Sequence, residues 1–168
     1  MQLEPIPDHL QPNLQILFVG FNPSIRSSET GFHYANPTNR FWKILYQAGL
    51  TPRKFSPDEN EKLLALGYGL TNIVARPTKE AANISKEEYA EGAHILKEQI
   101  KKYRPKAVCF VGKGVYQQFS KRKNVSWGVQ KDPIVPGVVE YVVPSSSGLV
   151  RIKLADIVEI YSGLNDYK

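Results

Sequence analysis

The sequence predicts an α/β protein, a three-layer α/β/α sandwich on a four-stranded, mainly parallel sheet. Four short apolar runs have the length of buried strands, and segments with helical spacing alternate with them. The connections between the runs are long enough for the crossovers that parallel strands require. The predicted strands are Ile16–Gly20, Tyr68–Val74, Ala107–Val111 and Val138–Val143.

Five helices are predicted around these strands. Asn39 is a candidate cap for the first helix, and Ser56 and Ser85 each stand three residues before a glutamate, the spacing of a capping box. Gly49 and Gly67 are predicted to end the first two helices. The predicted helices are Asn36–Gly49, Ser56–Leu66, Ser85–Tyr103, Gly112–Phe119 and Ile152–Tyr161.

The length of 168 residues and the hydrophobic content of 42% predict one compact domain, residues 1–168. Residues Met1 to Asn13 hold three prolines and no periodicity, so we expect a surface lead-in. No run resembles a signal peptide or a membrane span. We therefore expect a soluble, intracellular protein without a membrane partner.

Charge and cysteine content narrow the function classes. The net charge of +6 modestly favours a polyanionic partner such as nucleic acid. Cys109, the only cysteine, lies in an apolar run and is predicted to be a buried thiol. One cysteine cannot build an iron–sulfur cluster or a cysteine-based zinc site, and His9, His33 and His94 are too scattered for a metal site or a triad. We expect no metal and no cofactor, and treat the histidines as structural or surface residues.

The first strand ends in a turn that could carry chemistry. Pro23 fixes its own backbone and keeps Asn22 out of the helical region, so the asparagine is presented in one orientation. Alone, this dipeptide is an ordinary turn. The stretch from Gly31 to Trp42, however, is rich in aromatic and amide side chains, which suit the stacking and edge hydrogen bonds that hold a flat heterocycle. We expect Asn72, at the end of the second strand, to lie at the same sheet edge.

Three segments resemble the mismatch-specific uracil/thymine-DNA glycosylase family of the uracil-DNA glycosylase superfamily. They are the Gly-Phe-Asn-Pro turn, the Asn-Arg-Phe-Trp-Lys segment at Asn39–Lys43 and the serine-rich run Pro144–Leu149, and the resemblance spans nearly the whole chain. It implies a monofunctional glycosylase of base excision repair that flips uracil out of mismatched duplex DNA and hydrolyses its N-glycosidic bond, with thymine and other damaged bases as further candidate substrates. It also implies a monomer in the cytoplasm at the nucleoid, with abasic-site repair enzymes acting downstream.

The resemblance assigns the chemistry to residues of the turn and the aromatic loop. Asn22 would position the attacking water; because an amide is no general base, the base must leave as an anion before water traps the sugar cation. Backbone groups at Phe21 would bind the departing base. Tyr34 would stack on it, Ser27 would limit access near the pyrimidine C5 position, and Asn72 would contact the base edge or merely cap its loop.

The resemblance also assigns a DNA-binding segment. Leu149 would wedge into the base stack while Gly148 and neighbouring backbone groups contact the widowed guanine, although Leu149 could also be a staple for the last helix. Ser145 and Ser147 match phosphate-binding serines. Two further candidates for phosphate contacts are Lys113, in the Gly-Lys-Gly turn that opens a helix, and Arg151.

The sequence departs from the family pattern in two places, and two alternative functions stay open. Ser24 replaces the glycine usual after the motif proline, and the serines of 145–147 resemble the thymine branch while Gly148-Leu149 resembles the uracil branch. One alternative is a non-catalytic protein that binds mismatched or damaged DNA. The other is a small-molecule nucleotide-binding enzyme that uses the turn at 112–114, a weak fingerprint because its third glycine is absent.

Overall fold

The computed structural model describes residues 3–168 and contains a five-stranded sheet. Strands β1, β2, β3 and β5 are parallel, and β4 joins the edge antiparallel to β5 in the order β2-β1-β3-β5-β4. The α/β class with a mainly parallel sheet is confirmed. The count of four strands is wrong, because the two residues of β4 are too few to leave a periodic pattern. The strands are β1 Ile16–Gly20, β2 Tyr68–Asn72, β3 Ala107–Val111, β4 Gly128–Val129 and β5 Val139–Val143.

Six α-helices connect and follow the strands. The predicted helix at 56–66 is split into a 3₁₀ turn, Pro57–Glu59, and a short helix. The sequence did not predict α1, which is capped by Ser24 and ends at Gly31 with a φ of 79°. The helices are α1 Ile25–Thr30, α2 Phe41–Gln47, α3 Lys62–Ala65, α4 Lys86–Tyr103, α5 Lys113–Ser120 and α6 Leu154–Ser162. Across residues 3–168, each helix is too short or too polar to cross a membrane.

The sheet separates two apolar cores, which gives the three predicted layers. Ile16 and Phe18 of β1 point into a core shared with α2, α3 and α6. Leu17 and Val19 point into the other, shared with α4 and α5. This alternation follows from the two-residue period of a strand that is buried on both faces. Cys109 is buried in the first core as predicted, and burial raises the pKa of its thiol.

The N-terminal segment lies at the surface, as its prolines predicted, but it is also anchored to the sheet. His9 forms a bridge with Leu70 of the edge strand, with backbone N–O distances of 2.8 and 3.1 Å. The Thr71 hydroxyl donates to Asp8 at 2.8 Å, and Ile6 is buried. Met1 and the next residue lie outside the described residues. The segment therefore packs along β2 and closes one side of the sheet edge.

Candidate active site

A cavity of about 220 Å³ lies beyond the carboxyl ends of β1, β2 and β3, whose last residues all line it. This is where ligands bind in open α/β sheets. Most of the residues predicted from the sequence meet here. Those that line the cavity are Phe21, Asn22, Ser27, Tyr34, Asn72, Ser145, Ser147 and Gly148.

The Asn22 side chain is held in one orientation from outside its own turn. Its Nδ2 donates to the carbonyl oxygen of Arg76 and to the Thr78 hydroxyl, each at 2.8 Å. A carbonyl oxygen can only accept, so this end of the amide must be the nitrogen. The Thr78 hydroxyl donates a hydrogen bond to the Glu80 carbonyl oxygen at 2.8 Å, so the Thr78 oxygen is the acceptor for the Asn22 amide. The Asn22 Oδ1 consequently keeps its lone pairs for a ligand in the cavity.

Tyr34 and Asn72 meet over the floor that Gly20 forms. A Cβ at Gly20 would lie 2.7 Å from Asn72 Oδ1 and 3.1 Å from the Tyr34 hydroxyl, so a larger residue would have to displace these two side-chain ends. Within residues 3–168 the Tyr34 hydroxyl is buried without a hydrogen-bond partner, and burial raises its pKa. Its ring stacks on Phe41 with centroids 3.8 Å apart and planes 13° apart. One face of the Tyr34 ring is therefore occupied, and only the other could receive a base.

Phe21 explains the glycine turn at the start of α5. A Cβ at Gly114 would lie 2.6 Å from Phe21 Cζ, and Gly112, with a φ of 114°, also faces the ring. The Phe21 carbonyl oxygen accepts from the Val74 amide at 2.9 Å, and this bond joins the turn after β1 to the segment after β2. Close packing against the Phe21 ring accounts for Gly114, and the positive φ accounts for Gly112.

Ser27 and Ser24 fix the entry into the aromatic loop. Ser27 is buried, and its hydroxyl accepts from the Ala35 amide at 3.1 Å. Its own amide donates to the Ser24 hydroxyl at 3.0 Å, the capping bond of α1. The serine that departs from the family pattern thus has a structural role, because it starts a helix that the sequence did not predict.

The serine-rich loop keeps hydroxyl hydrogens available to a ligand. Ser145 Oγ accepts from the Ser147 amide and Ser147 Oγ from the Leu149 amide, both at 3.2 Å. Among the described residues neither hydroxyl donates a hydrogen bond, so each O–H can donate to a ligand. The buried Ser146 fixes the loop, since its carbonyl oxygen accepts from the Arg40 amide at 2.8 Å.

Leu149 projects into solvent beside the cavity. Its exposed fraction is 91%, the highest of the large exposed hydrophobic residues. A staple for α6 would bury this side chain, so that alternative is wrong. The neighbouring Gly148 approaches the Thr38 carbonyl so closely that a Cβ would lie 2.7 Å from its oxygen. The backbone next to Leu149 is therefore packed tightly against the backbone at Thr38.

Comparison with known proteins agrees with this geometry. The family model of the Uracil DNA glycosylase superfamily matches residues 7–164. The chain belongs to this superfamily. Its fold is similar to the solution NMR structure of a candidate uracil DNA glycosylase from Methanosarcina acetivorans, with a TM-score of 0.61, 24% identity, and coverage of 98% of this chain and 99% of that chain. The resemblance seen in the sequence is confirmed at the level of the superfamily.

Two predicted phosphate-binding residues of this superfamily member lie outside the cavity lining. Lys113 Nζ sits over the Trp127 ring, 4.3 Å from its centroid, and lines a separate open depression with Gln117 and Lys123. Arg151 is exposed, two residues beyond Leu149. A phosphate role for either residue stays a prediction, and the structure does not bring Lys113 into the site.

Among the lining residues to which sequence reasoning gave no site role are His33 and Ile6. His33 Nε2 lies 2.8 Å from the Pro7 carbonyl oxygen and must donate to it, so Nδ1 carries no proton. Burial lowers the pKa of His33 to about 4, which keeps the ring neutral near pH 7. The position of His33 beside Tyr34 in the aromatic loop was a usable signal. Nothing local in the sequence pointed to Ile6.

Charged groups are excluded from the cavity. Its lining within the described chain consists of apolar residues, hydroxyls, amides, glycines and the neutral His33, without an acidic or basic side chain. Among residues 3–168 there is also no cluster of three or more histidine, cysteine or acidic residues that could hold a metal ion. Chemistry in this cavity must rely on neutral dipoles.

Proposed function

We propose that this protein is a monofunctional DNA glycosylase that flips uracil out of mismatched duplex DNA and hydrolyses its N-glycosidic bond. The observation that carries the proposal is the locked Asn22 amide, whose Nδ2 is bound to Arg76 and Thr78 and whose free Oδ1 borders a base-sized cavity. The cavity, about 220 Å³, is smaller than the roughly 300–1,000 Å³ of typical ligand sites. This volume suits one base better than a whole nucleotide.

The proposed mechanism is dissociative. Asn22 Oδ1 accepts a hydrogen bond from one water and holds it beneath the sugar, but it cannot remove the proton. The glycosidic bond must then break first, with the electron pair leaving on the base and a sugar cation remaining. The water adds to this cation, and its surplus proton passes to the departed base anion or to solvent, which leaves a neutral base and an abasic sugar. Backbone groups at Phe21 and the Asn72 amide would stabilise the departing anion, and the free face of Tyr34 would stack on it.

The proposed DNA contacts lie on the rim. Leu149 fills the gap that the flipped base leaves, an apolar wedge of the kind used by proteins that open base steps. Ser145 and Ser147 donate their free hydroxyl hydrogens to flanking phosphates. Flipping costs about a few kcal/mol and least for a mispaired base, so G:U and related mismatches are the proposed substrates.

The test is incubation with a duplex that contains one G:U pair, followed by alkali. Strand cleavage at the uracil, with free uracil in the supernatant, supports the proposal. Tight binding of the G:U duplex without base release would favour the non-catalytic binder. Binding of free nucleotides together with indifference to duplex DNA would favour the small-molecule enzyme.

A further inference from the structure

The N-terminal segment, residues 3–10, forms one wall of the cavity through Ile6. Ile6 has an exposed fraction of 8% and lines the cavity together with Ser27 and His33. It is one of two branched aliphatic side chains in the lining; the other, Val111, belongs to β3 and is fixed by the sheet. Ile6 is thus an apolar side chain brought to a polar cavity from a segment outside the sheet.

This segment is anchored on both sides of Ile6. Before it, the Glu4 carbonyl oxygen accepts from the Ser28 hydroxyl at 2.6 Å. After it, the Pro7 carbonyl oxygen accepts from His33 Nε2 at 2.8 Å. Ser28 belongs to α1, the helix that carries Ser27, so Ile6 is held between that helix and the aromatic loop. A side chain fixed in this way acts as a wall of constant position.

We propose that Ile6 is a specificity-determining residue that limits the cavity to pyrimidines of about the size of uracil. The inference rests on the proposed function. At the floor, the side-chain ends of Asn72 and Tyr34 already lie close to Gly20, so a larger base gains little room there. A base with an extra ring substituent or a fused ring must then displace Ile6 or fail to seat. A single methylene in an apolar pocket changes discrimination by about 10- to 200-fold, and Ile6→Ala removes three carbons.

The experiment compares single-turnover excision from duplexes that place uracil, thymine or 3,N4-ethenocytosine opposite guanine. The variant is Ile6→Ala, and the matched control is Leu10→Ala, a truncation in the same segment whose side chain packs against the core that contains α4 and α5. For Ile6→Ala we expect uracil excision within about fivefold of the wild type, and a rise of about tenfold or more in the rate for thymine or ethenocytosine relative to uracil. Leu10→Ala should leave both ratios unchanged.

Three outcomes would overturn the inference. Ratios within twofold of the wild type, with uracil excision intact, would reject the wall and leave the proposed function standing. An equal rise in Leu10→Ala would assign the effect to loosening of the segment. Absence of uracil excision by the wild type would reject the proposed function and the inference together. If Ile6→Ala unfolds, Ile6→Val provides the test, with a smaller rise in the same direction.

Discussion

The Asn22 turn (residues 20–24) and the Leu149 loop (residues 144–149) border the same cavity. They differ in how firmly the Asn22 and Leu149 side chains are held. The Asn22 amide donates two hydrogen bonds to a segment 54–56 residues away, and the next residue, Pro23, is buried. Leu149 is 91% exposed, and only the backbone beneath it is held. The Asn22 amide is already fixed in the free protein, whereas the Leu149 side chain would be buried only against DNA under the proposed function. We therefore expect mutations in the first to affect chemistry and mutations in the second to affect binding.

The largest expected effect is on the chemical step in Asn22→Ala. If Asn22 holds the attacking water as proposed, its loss should lower the single-turnover rate of uracil release by about 10²–10³-fold. Affinity for the G:U duplex should change by less than about threefold, because the proposed Leu149 wedge remains. Rapid quench and a gel-shift titration measure the two quantities. Asn124→Ala, in an exposed loop, is the control. Parallel losses of rate and affinity would remove the distinction between the two regions.

His33, which lines the cavity from the aromatic loop, should contribute to stability in a pH-dependent way. His33 has its pKa lowered from 6.5 to about 4 in the folded state, so the unfolded chain binds more protons between those values. Its contribution is fully present above pH 6.5 and is lost as the pH falls towards 4, by about 3 kcal/mol in the free energy of unfolding.

Urea titrations of the wild type and of His33→Gln at pH 4.5 and 7 measure this contribution. The variant should lose much less stability on acidification. Lowering of the His9 pKa acts in the same direction and raising of the Asp8 pKa opposes it, but both groups are present in both proteins. Equal pH dependence in the two proteins would contradict the burial of a neutral His33.

In the exposed region, Leu149→Ala should weaken binding rather than chemistry. Burial of a leucine side chain is worth about 1.5–3 kcal/mol, so affinity for the G:U duplex should fall about 10- to 100-fold. The single-turnover rate at saturating enzyme should fall much less. Val129→Ala, which truncates another exposed aliphatic side chain (59% exposed), is the control. Unchanged affinity in Leu149→Ala would rule out the wedge.

The smallest effect is expected from Ser147→Ala. Loss of one hydroxyl that donates to a phosphate should lower affinity about fivefold, within the usual range for one hydrogen bond. The slope of log affinity against log salt should not change, because the serine carries no charge. Arg151→Ala, by contrast, should reduce that slope by about one if it contacts a phosphate. Ser126→Ala, on an exposed loop, serves as the control for both.

The same contrast explains how much could be predicted from the sequence. The Asn22 turn and the Leu149 loop each follow an apolar strand, and their local residues reveal them. The partners of the Asn22 amide and the Ile6 wall depend on contacts between distant segments, which no local pattern encodes. The Gly-Lys-Gly turn could not be interpreted from sequence alone, because a glycine that lets a phosphate approach and a glycine that lets a phenyl ring approach are alike in sequence.

The most direct test of the account is the pH dependence of single-turnover uracil excision from a G:U duplex. Within the described chain the cavity lining has no ionised side chain, burial lowers the pKa of His33 to about 4, and burial raises the pKa of Tyr34. We therefore predict a rate that is flat between about pH 6 and 9, as expected when a neutral amide holds the water and the base departs as an anion. A tenfold change per pH unit within that range, with an inflection near neutrality, would reveal a general base and contradict the role assigned to Asn22.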